Sequence, residues 1–260
     1  MKAMLLAAGF GTRLRPLTYR IPKPLIPVNG IPLIFYNLAL LKKHGIRDVV
    51  INLHYLGQKI KNLLGTGKKF GFHFTYSTEK KILGTGGGIK KAEKFLKNGP
   101  FLVLNGDIIT DLPLEHLMKL HRRQKPYATL VVIKSRLARH YGILYTNRER
   151  EIVSILQQPK NGKKYDETFF TGVHLLDRRF FKNQKRGVKA CIIRDNYIPR
   201  LQKGEQLAAF FQKGYWNDLG TKERWQKTNR LFKQSKIRLS YNNHLEEFRK
   251  ILSRKKKRSH

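Results

Sequence analysis

The sequence predicts an α/β fold: a Rossmann-like, three-layer arrangement with a mostly parallel central sheet and a mixed β extension. Short apolar runs alternate with helical patterns up to about residue 128, which is typical of successive βαβ units. Later apolar runs lack long helices between them, which favours antiparallel or mixed pairing. A hydrophobic fraction of 40% over 260 residues is enough to build a packed core.

The individual elements follow from the spacing of the apolar residues. In the first half the predicted strands are 3–7, 49–52, 72–76 and 101–104, and the predicted helices are 32–44, 56–64, 87–96 and 114–124. In the second half the predicted strands are 128–133, 152–156 and 169–175, and helices 193–202 and 221–232 flank a strand pair at 207–211 and 215–218.

The sequence predicts one large domain over residues 1–234 and a basic C-terminal extension over 235–260. In the extension Leu245, Phe248, Ile251 and Leu252 have helical spacing. An amphipathic helix followed by a disordered tail is therefore expected.

The composition is strongly basic, with 54 Lys and Arg against 17 Asp and Glu and a formal net charge of +37. Such a surface attracts polyanions, including nucleic acids and phosphorylated small molecules. The cations are spread over nearly every predicted helix, and residues 254–258 form a dense block. Because no nucleic-acid-binding module is recognisable, a solvated basic surface is favoured over nucleic-acid binding.

Cysteine usage and hydropathy favour a soluble, cytoplasmic protein. Cys191 is the single cysteine, so an intramolecular disulfide is impossible. The apolar start of the chain is short and lacks a cleavage site, and no apolar stretch reaches membrane-spanning length. No membrane span is expected.

A phosphate-binding loop is predicted directly after the first strand, because ligands of parallel sheets bind beyond the carboxyl ends of the strands. Segment 8–18 (AGFGTRLRPLT) supplies two glycines and two arginines, and Lys23 follows in the proline-stiffened segment KPLIP. Leu14 excludes a dinucleotide-binding fingerprint, and no Walker sequence is present. Taken alone, the glycines are equally consistent with a tight turn.

Two aspartates offer hard oxygen ligands at the ends of predicted strands. Asp107 ends the segment LNGD (104–107), and Asp218 lies in WNDLGT (216–221) before a predicted helix. Carboxylate oxygens are the ligands that Mg²⁺ prefers. An ordinary salt bridge remains the alternative for Asp107, and Thr221 is also a candidate helix N-cap.

The motifs together resemble those of the sugar-phosphate nucleotidyltransferases, which make nucleoside-diphosphate sugars. The resemblance rests on LAAGFGTRL (6–14) followed by Lys23-Pro24, on LGTGGGI (83–89), on LNGD and on WNDLGT, which occur in order over nearly all of residues 1–234. The early motifs are most similar to the mannose-1-phosphate guanylyltransferase and N-acetylmuramate-1-phosphate uridylyltransferase branches.

The resemblance implies a role for each matched residue. Arg13 and Lys23 would bind the reacting phosphates, and Asp107 and Asp218 would share one Mg²⁺ ion, the expected cofactor. The residues expected to contact the nucleoside triphosphate are Leu6, Ala8, Gly9, Gly11, Thr12, Thr85, Gly86 and Gly87. Gly142 and Gly172 are expected to face the sugar, although close strand packing or a bulge explains them equally well.

The sugar half departs from the pattern of many relatives. Where those relatives carry Glu-Lys-Pro, this chain has Gln157-Gln158-Pro159. The change removes a charge pair and weakens any transfer of the common hexose specificity, while Lys160 is a candidate for the lost phosphate contact.

The resulting functional prediction is a Mg²⁺-dependent enzyme that converts a nucleoside triphosphate and a sugar 1-phosphate to a nucleoside-diphosphate sugar and pyrophosphate. Mannose-1-phosphate guanylyltransferase-like activity is expected, and N-acetylmuramate-1-phosphate uridylyltransferase-like activity is the alternative. A catalytically silent sugar-nucleotide sensor and a nucleic-acid-binding basic protein are the alternatives from other classes. The sequence makes no prediction of oligomeric state.

Overall fold

The chain folds into two compact units, each assembled from segments that are distant in sequence. The computed structural model describes residues 1–159 and 162–257. Unit 1 contains Met1, Ile82–Leu104 and Pro113–Lys213. Unit 2 contains Lys2–Lys81, Asn105–Leu112 and the chain from Gly214 onward.

Strands and helices alternate over much of the described chain. The strands are β1 (Lys2–Leu6), β2 (Pro27–Val28), β3 (Ile31–Pro32), β4 (Asp48–Leu53), β5 (His73–Thr78), β6 (Phe101–Asn105), β7 (Ile108–Thr110), β8 (Ala128–Lys134), β9 (Ile143–Thr146), β10 (Ile152–Ile155), β11 (Asp166–Leu176), β12 (Leu207–Phe211) and β13 (Trp216–Asp218). The α-helices are α1 (Leu17–Arg20), α2 (Ile34–Lys43), α3 (Gly57–Leu64), α4 (Gly84–Lys91), α5 (Glu93–Leu96), α6 (Leu114–Gln124), α7 (Ala138–Tyr141), α8 (Ile198–Gln202), α9 (Lys222–Lys233) and α10 (Asn242–Lys257).

Unit 2 is built around three parallel strands. β1 pairs with β4 and β4 pairs with β5, both in parallel, and residues 3–5 of β1 and 49–53 of β4 are buried. α10 packs on α2 through Phe248, whose ring lies 5.1 Å from that of Phe35 and 5.8 Å from that of Phe70. The amphipathic C-terminal helix therefore contributes its apolar face to the core of this unit.

Unit 1 contains the mixed strands. β11 pairs in antiparallel fashion with β6, β8 and β9, and β10 pairs with β9. β12 joins β8 in parallel. The parallel strands of unit 2 and the mixed strands of unit 1 confirm the predicted α/β class and its mixed extension.

Two element predictions are wrong. The predicted strand pair at 207–211 and 215–218 does not form, because β12 pairs with β8 whereas β13 pairs with β7. The helix predicted from residue 87 begins at Gly84, so the glycines lie inside α4. The helix predicted at 193–202 is confirmed, and its first part is a π-helical turn (Ile193–Tyr197) that continues into α8.

The C-terminal extension also differs from the prediction. α10 continues through Lys257 and so includes most of the basic block that was expected in a disordered tail. Residues 258–260, the rest of the predicted tail, lie outside the described residues. Among the helices that the structure describes, none has both the length and the apolarity needed to cross a bilayer.

Candidate functional site

The end of β1 is held by a buried polar pair that the sequence did not single out. Asn52 on β4 accepts a hydrogen bond from the backbone N–H of Ala7 through Oδ1 (2.7 Å) and donates to Glu79 Oε1 through Nδ2 (2.7 Å). Both side chains are buried. Because buried polar groups lose stability without partners, this pair fixes the point at which the glycine-containing loop leaves the sheet.

The loop after β1 is ordered by its own hydrogen bonds. Thr18 on α1 donates from Oγ1 to the carbonyl of Gly11 (2.9 Å), and the backbone N–H of Leu14 donates to the same carbonyl (2.9 Å). Leu14 is buried, whereas Gly9, Phe10 and Thr12 are exposed. The base of the loop is thus fixed, and these three residues are accessible to a ligand.

Asp107 is brought to this loop by a close backbone approach at Gly106. The N–H of Gly106 donates to the carbonyl of Leu6 (2.9 Å), and a Cβ at position 106 would lie only 2.6 Å from that oxygen. Lys23, from the far end of the loop, donates from Nζ to Asp107 Oδ2 at 2.5 Å. The side chains of Lys23 and Asp107 are 11% and 30% exposed, so solvent only partly screens this ion pair.

Asp218 reaches the same part of unit 2 through the pairing of β13 with β7. Asp218 is the register partner of Ile108, and the N–H of Leu219 donates to the carbonyl of Asp107 (2.9 Å). Asp218 Oδ1 accepts from the N–H of Gly220 (2.7 Å), and its Oδ2 accepts from Arg224 Nη1 (2.5 Å). Asp107, in the turn that precedes β7, is therefore brought close to Asp218 at the end of β13, although the two aspartates are 111 positions apart in sequence.

Arg13 lies beside Asp218. A Cβ placed on Gly220 would be 3.2 Å from Arg13 Nη2 and 2.6 Å from Asp218 Oδ1, so both groups flank this glycine. The structure thus gathers Arg13, Lys23, Asp107 and Asp218 within unit 2. Three cations, counting Arg224, face two carboxylates in a region that is suited to anionic phosphates.

Asp107 and Asp218 are suited to a Mg²⁺ ion whose remaining ligands come from substrate and water. Among the described residues no group of three or more His, Cys, Asp and Glu is arranged to hold a metal. Mg²⁺ is commonly held by only one or two carboxylates together with water and substrate phosphates. Asp107 and Asp218 match this requirement for two carboxylates. Asp107 forms an ion pair with Lys23, and Asp218 forms one with Arg224.

The glycines predicted to hold the nucleoside lie in unit 1, where they contact the chain itself. The N–H groups of Gly86 and Gly87, at the start of α4, donate to the carbonyl of Ala190 (2.9 and 3.3 Å), and Thr85 Oγ1 accepts from the N–H of Ile192 (2.8 Å). A Cβ on Gly87 would lie 2.4 Å from the carbonyl oxygen of Val188. Close backbone packing thus explains these glycines, and the expected N–H donors already have partners.

The two glycines predicted to face the sugar also lie in unit 1. Gly142 (φ 92°) joins α7 to β9, and Gly172 (φ 86°) lies in β11 where its register with β8 shifts. A bulge therefore accounts for Gly172 without a ligand. Gln157 and Gln158 are exposed and line a cavity of about 920 Å³ with Ser154 and Pro159. Lys160 lies outside the described residues.

Sequence reasoning missed the residues that act through distant partners. Asn52, Glu79 and Arg224 contact the site or its supports from positions that carry no motif. The available signal was their position. Asn52 and Glu79 are polar residues at the carboxyl ends of β4 and β5, where acidic and amide groups are scarce.

Comparison with known proteins identifies the family of the chain. A model described as "Nucleotidyl transferase" matches residues 2–235. The chain is 31% identical over 233 residues to a UTP–glucose-1-phosphate uridylyltransferase from Synechocystis and 29% identical over 222 residues to a mannose-1-phosphate guanylyltransferase from Mycobacterium tuberculosis. These matches cover 85% of this chain, which spans about 60% of the length of either relative.

Solved structures show the same fold. A Bacillus anthracis structure, provisionally named a glucose-1-phosphate thymidylyltransferase and solved with sucrose, superposes with a TM-score of 0.75 at 26% identity, covering 93% of this chain and 99% of that one. HddC from Yersinia pseudotuberculosis, solved with GMP-PN, gives a TM-score of 0.74 at 23% identity, covering 89% and 99%, and so shows the fold alone. The chain belongs to the nucleotidyl transferase family.

Proposed function

We propose that this protein is a Mg²⁺-dependent sugar-1-phosphate nucleotidyltransferase. A phosphate oxygen of the sugar 1-phosphate attacks the α-phosphorus of a nucleoside triphosphate and forms a new P–O bond. The bond from the α-phosphorus to the oxygen that bridges to the β-phosphate breaks, and pyrophosphate leaves. The products are a nucleoside-diphosphate sugar and pyrophosphate.

The observation that carries the proposal is the convergence of four chemically suited residues in unit 2. Lys23 contacts Asp107, and β13 holds Asp218 beside β7, with Arg13 next to it. Phosphoryl-type transfer needs alignment and charge neutralisation more than a covalent nucleophile. The site offers both, from residues of three separate sequence segments.

Each residue has a distinct role in the proposal. Arg13 binds the β- and γ-phosphates and stabilises the departing pyrophosphate, and Lys23 neutralises charge on the reacting phosphates. Asp107 and Asp218 hold Mg²⁺, which when bound neutralises phosphate charge and aligns the reacting oxygens. The exposed Gly9 and Thr12 and the half-buried Gly11 present backbone N–H groups to the triphosphate.

We further propose mannose 1-phosphate and GTP as the preferred substrates. Several relatives at about 30% identity are named mannose-1-phosphate guanylyltransferases or guanyltransferases, including those of Mycobacterium tuberculosis and Yarrowia lipolytica. The neutral amides of Gln157 and Gln158 suit hydroxyl groups of an uncharged sugar, since they both donate and accept hydrogen bonds.

The test is a matrix of four nucleoside triphosphates against several sugar 1-phosphates, with pyrophosphate release as the readout. We expect release only when triphosphate, sugar 1-phosphate and Mg²⁺ are all present, and the highest rate with GTP and mannose 1-phosphate. No release across a broad panel would refute the enzymatic proposal. A clear preference for another pair would refute the substrate assignment and leave the reaction class standing.

A further inference from the structure

Arg224 forms an ion pair with Asp218, one of the two aspartates proposed to bind the metal. Its Nη1 lies 2.5 Å from Asp218 Oδ2, and the two side chains are 36% and 17% exposed. Asp218 Oδ1 is meanwhile bonded to the N–H of Gly220. Both oxygens of Asp218 are therefore engaged by the protein.

The position of Arg224 is not explained by its helix. Arg224 lies in the first turn of α9, where Thr221 caps the helix by accepting from the backbone N–H of Arg224 (3.4 Å). The N-terminus of a helix carries partial positive charge, so a cation is unfavourable there. The ion pair with Asp218 offsets that repulsion.

We propose that Arg224 competes with the divalent cation for Asp218 and binds substrate phosphate once the cation has displaced it. This inference rests on the proposed function, because it assigns Asp218 to the metal. Asp218 exchanges the guanidinium for the divalent cation, and the displaced guanidinium contacts the triphosphate. Arg224 is thus both a competitor of the metal and a substrate-binding residue.

Charge balance supports the exchange. Asp107 is paired with Lys23 and Asp218 with Arg224, and Arg13 lies beside Gly220. A bound metal and two phosphorylated substrates bring more negative than positive charge, so the released cations find new anionic partners. A metal without nucleotide must instead displace Arg224 with no such compensation, which lowers its apparent affinity.

The experiment measures Mn²⁺ binding to nucleotide-free protein by electron paramagnetic resonance, together with KM for the triphosphate. The variants are Arg224→Gln, Arg224→Lys and Asp218→Asn, and the matched control is Lys227→Gln, which removes one exposed cation from the same helix. Circular dichroism establishes that each variant is folded.

We expect Arg224→Gln to bind Mn²⁺ about tenfold more tightly and to raise KM for the triphosphate about tenfold, since a charged hydrogen bond is lost in each state. If Arg224 had only a structural role, its substitution would weaken the binding of both Mn²⁺ and the triphosphate. Lys227→Gln should stay close to the unmodified protein, and Arg224→Lys, which keeps the charge but not the guanidinium, should change both quantities less than Arg224→Gln does.

Mn²⁺ binding by Arg224→Gln that is unchanged or weaker would overturn the inference, and so would an unchanged KM for the triphosphate. Should Arg224→Gln fail to fold, a tenfold change in either quantity for Arg224→Lys would overturn it too. Asp218→Asn separates the two proposals: if it binds Mn²⁺ as well as the unmodified protein, the metal assignment in the proposed function fails.

Discussion

Asp107→Asn removes one charge from the site and keeps the shape of the side chain. In the folded protein Asp107 accepts a hydrogen bond from Lys23 at 2.5 Å, and its backbone carbonyl accepts from Leu219. The backbone contact survives the substitution, and the amide oxygen can still accept from Lys23. The change therefore isolates the negative charge that the proposed metal site needs.

The substitution should lower both the stability and the catalytic efficiency of the protein. The ion pair lies between the exposed and buried cases, since Lys23 is 11% and Asp107 is 30% exposed, so the free energy of unfolding should fall by about 1–2 kcal/mol. The melting temperature should then drop by roughly 2–8 °C for a chain of this size. Loss of a metal ligand should lower kcat/KM by about 10³-fold, which corresponds to roughly 4 kcal/mol in the transition state.

The assay is steady-state pyrophosphate release at 25 °C, where both proteins stay folded, combined with thermal melting. The matched control is Asp111→Asn, which removes the same charge from a carboxylate that accepts from the backbone N–H of Ser240 instead of from a site residue. The control should retain most of its activity. Turnover of Asp107→Asn within threefold of the unmodified protein, or an equal loss in Asp111→Asn, would refute the reasoning.

Three further substitutions test other parts of the structure. Gly106→Ala places a Cβ 2.6 Å from the carbonyl oxygen of Leu6, so chemical denaturation should show a loss of about 1–3 kcal/mol, and no loss would contradict this packing. Burial lowers the pKa of His174 from 6.5 to about 3, so the unfolded chain binds a proton that the folded one does not. The free energy of unfolding should therefore fall by about 2 kcal/mol more between pH 7.5 and 5 in the unmodified protein than in His174→Gln, as measured by denaturant titrations. Partial burial alone would raise the pKa of Glu247, but the hydrogen bond and charge of Lys42 outweigh it and hold the pKa below its ordinary 4.5. The contribution of Glu247 to the docking of α10 is thus complete above pH 4.5 and lost as pH falls through the lowered pKa. The protection factors of the α10 amides, which correct for the slower intrinsic exchange in acid, should therefore fall below pH 4.5 in the unmodified protein and not in Glu247→Gln.

Local patterns were sufficient to predict most elements of the fold. Strands such as β4 and β12 consist of compact apolar runs, and α6 matches the predicted 114–124 because its apolar residues have helical spacing. The pairing of β12 and β13 could not be predicted, since adjacency in sequence favours a hairpin. Their actual partners, β8 and β7, lie about 80 to 110 residues earlier in the chain.

The site was predictable where a short motif carries the chemistry and not where distant contacts define it. Lys23 and Asp107 stand in recognisable motifs, and they meet in the structure. The helix was predicted to begin only at residue 87 because glycine disfavours helix, yet contact with the chain at Ala190, about 100 residues later, stabilises Gly84 to Gly88 within α4. Arg224 carries no motif, and only the fold brings it to Asp218.

Nucleotidyl transfer itself can be observed by ³¹P nuclear magnetic resonance of the unmodified protein with GTP, mannose 1-phosphate and Mg²⁺. The triphosphate signals should disappear as a nucleoside-diphosphate sugar and pyrophosphate form in equal amounts, and a chelator should stop the reaction. Release of orthophosphate, or of pyrophosphate without consumption of the sugar 1-phosphate, would show hydrolysis in place of transfer and would contradict the proposed function.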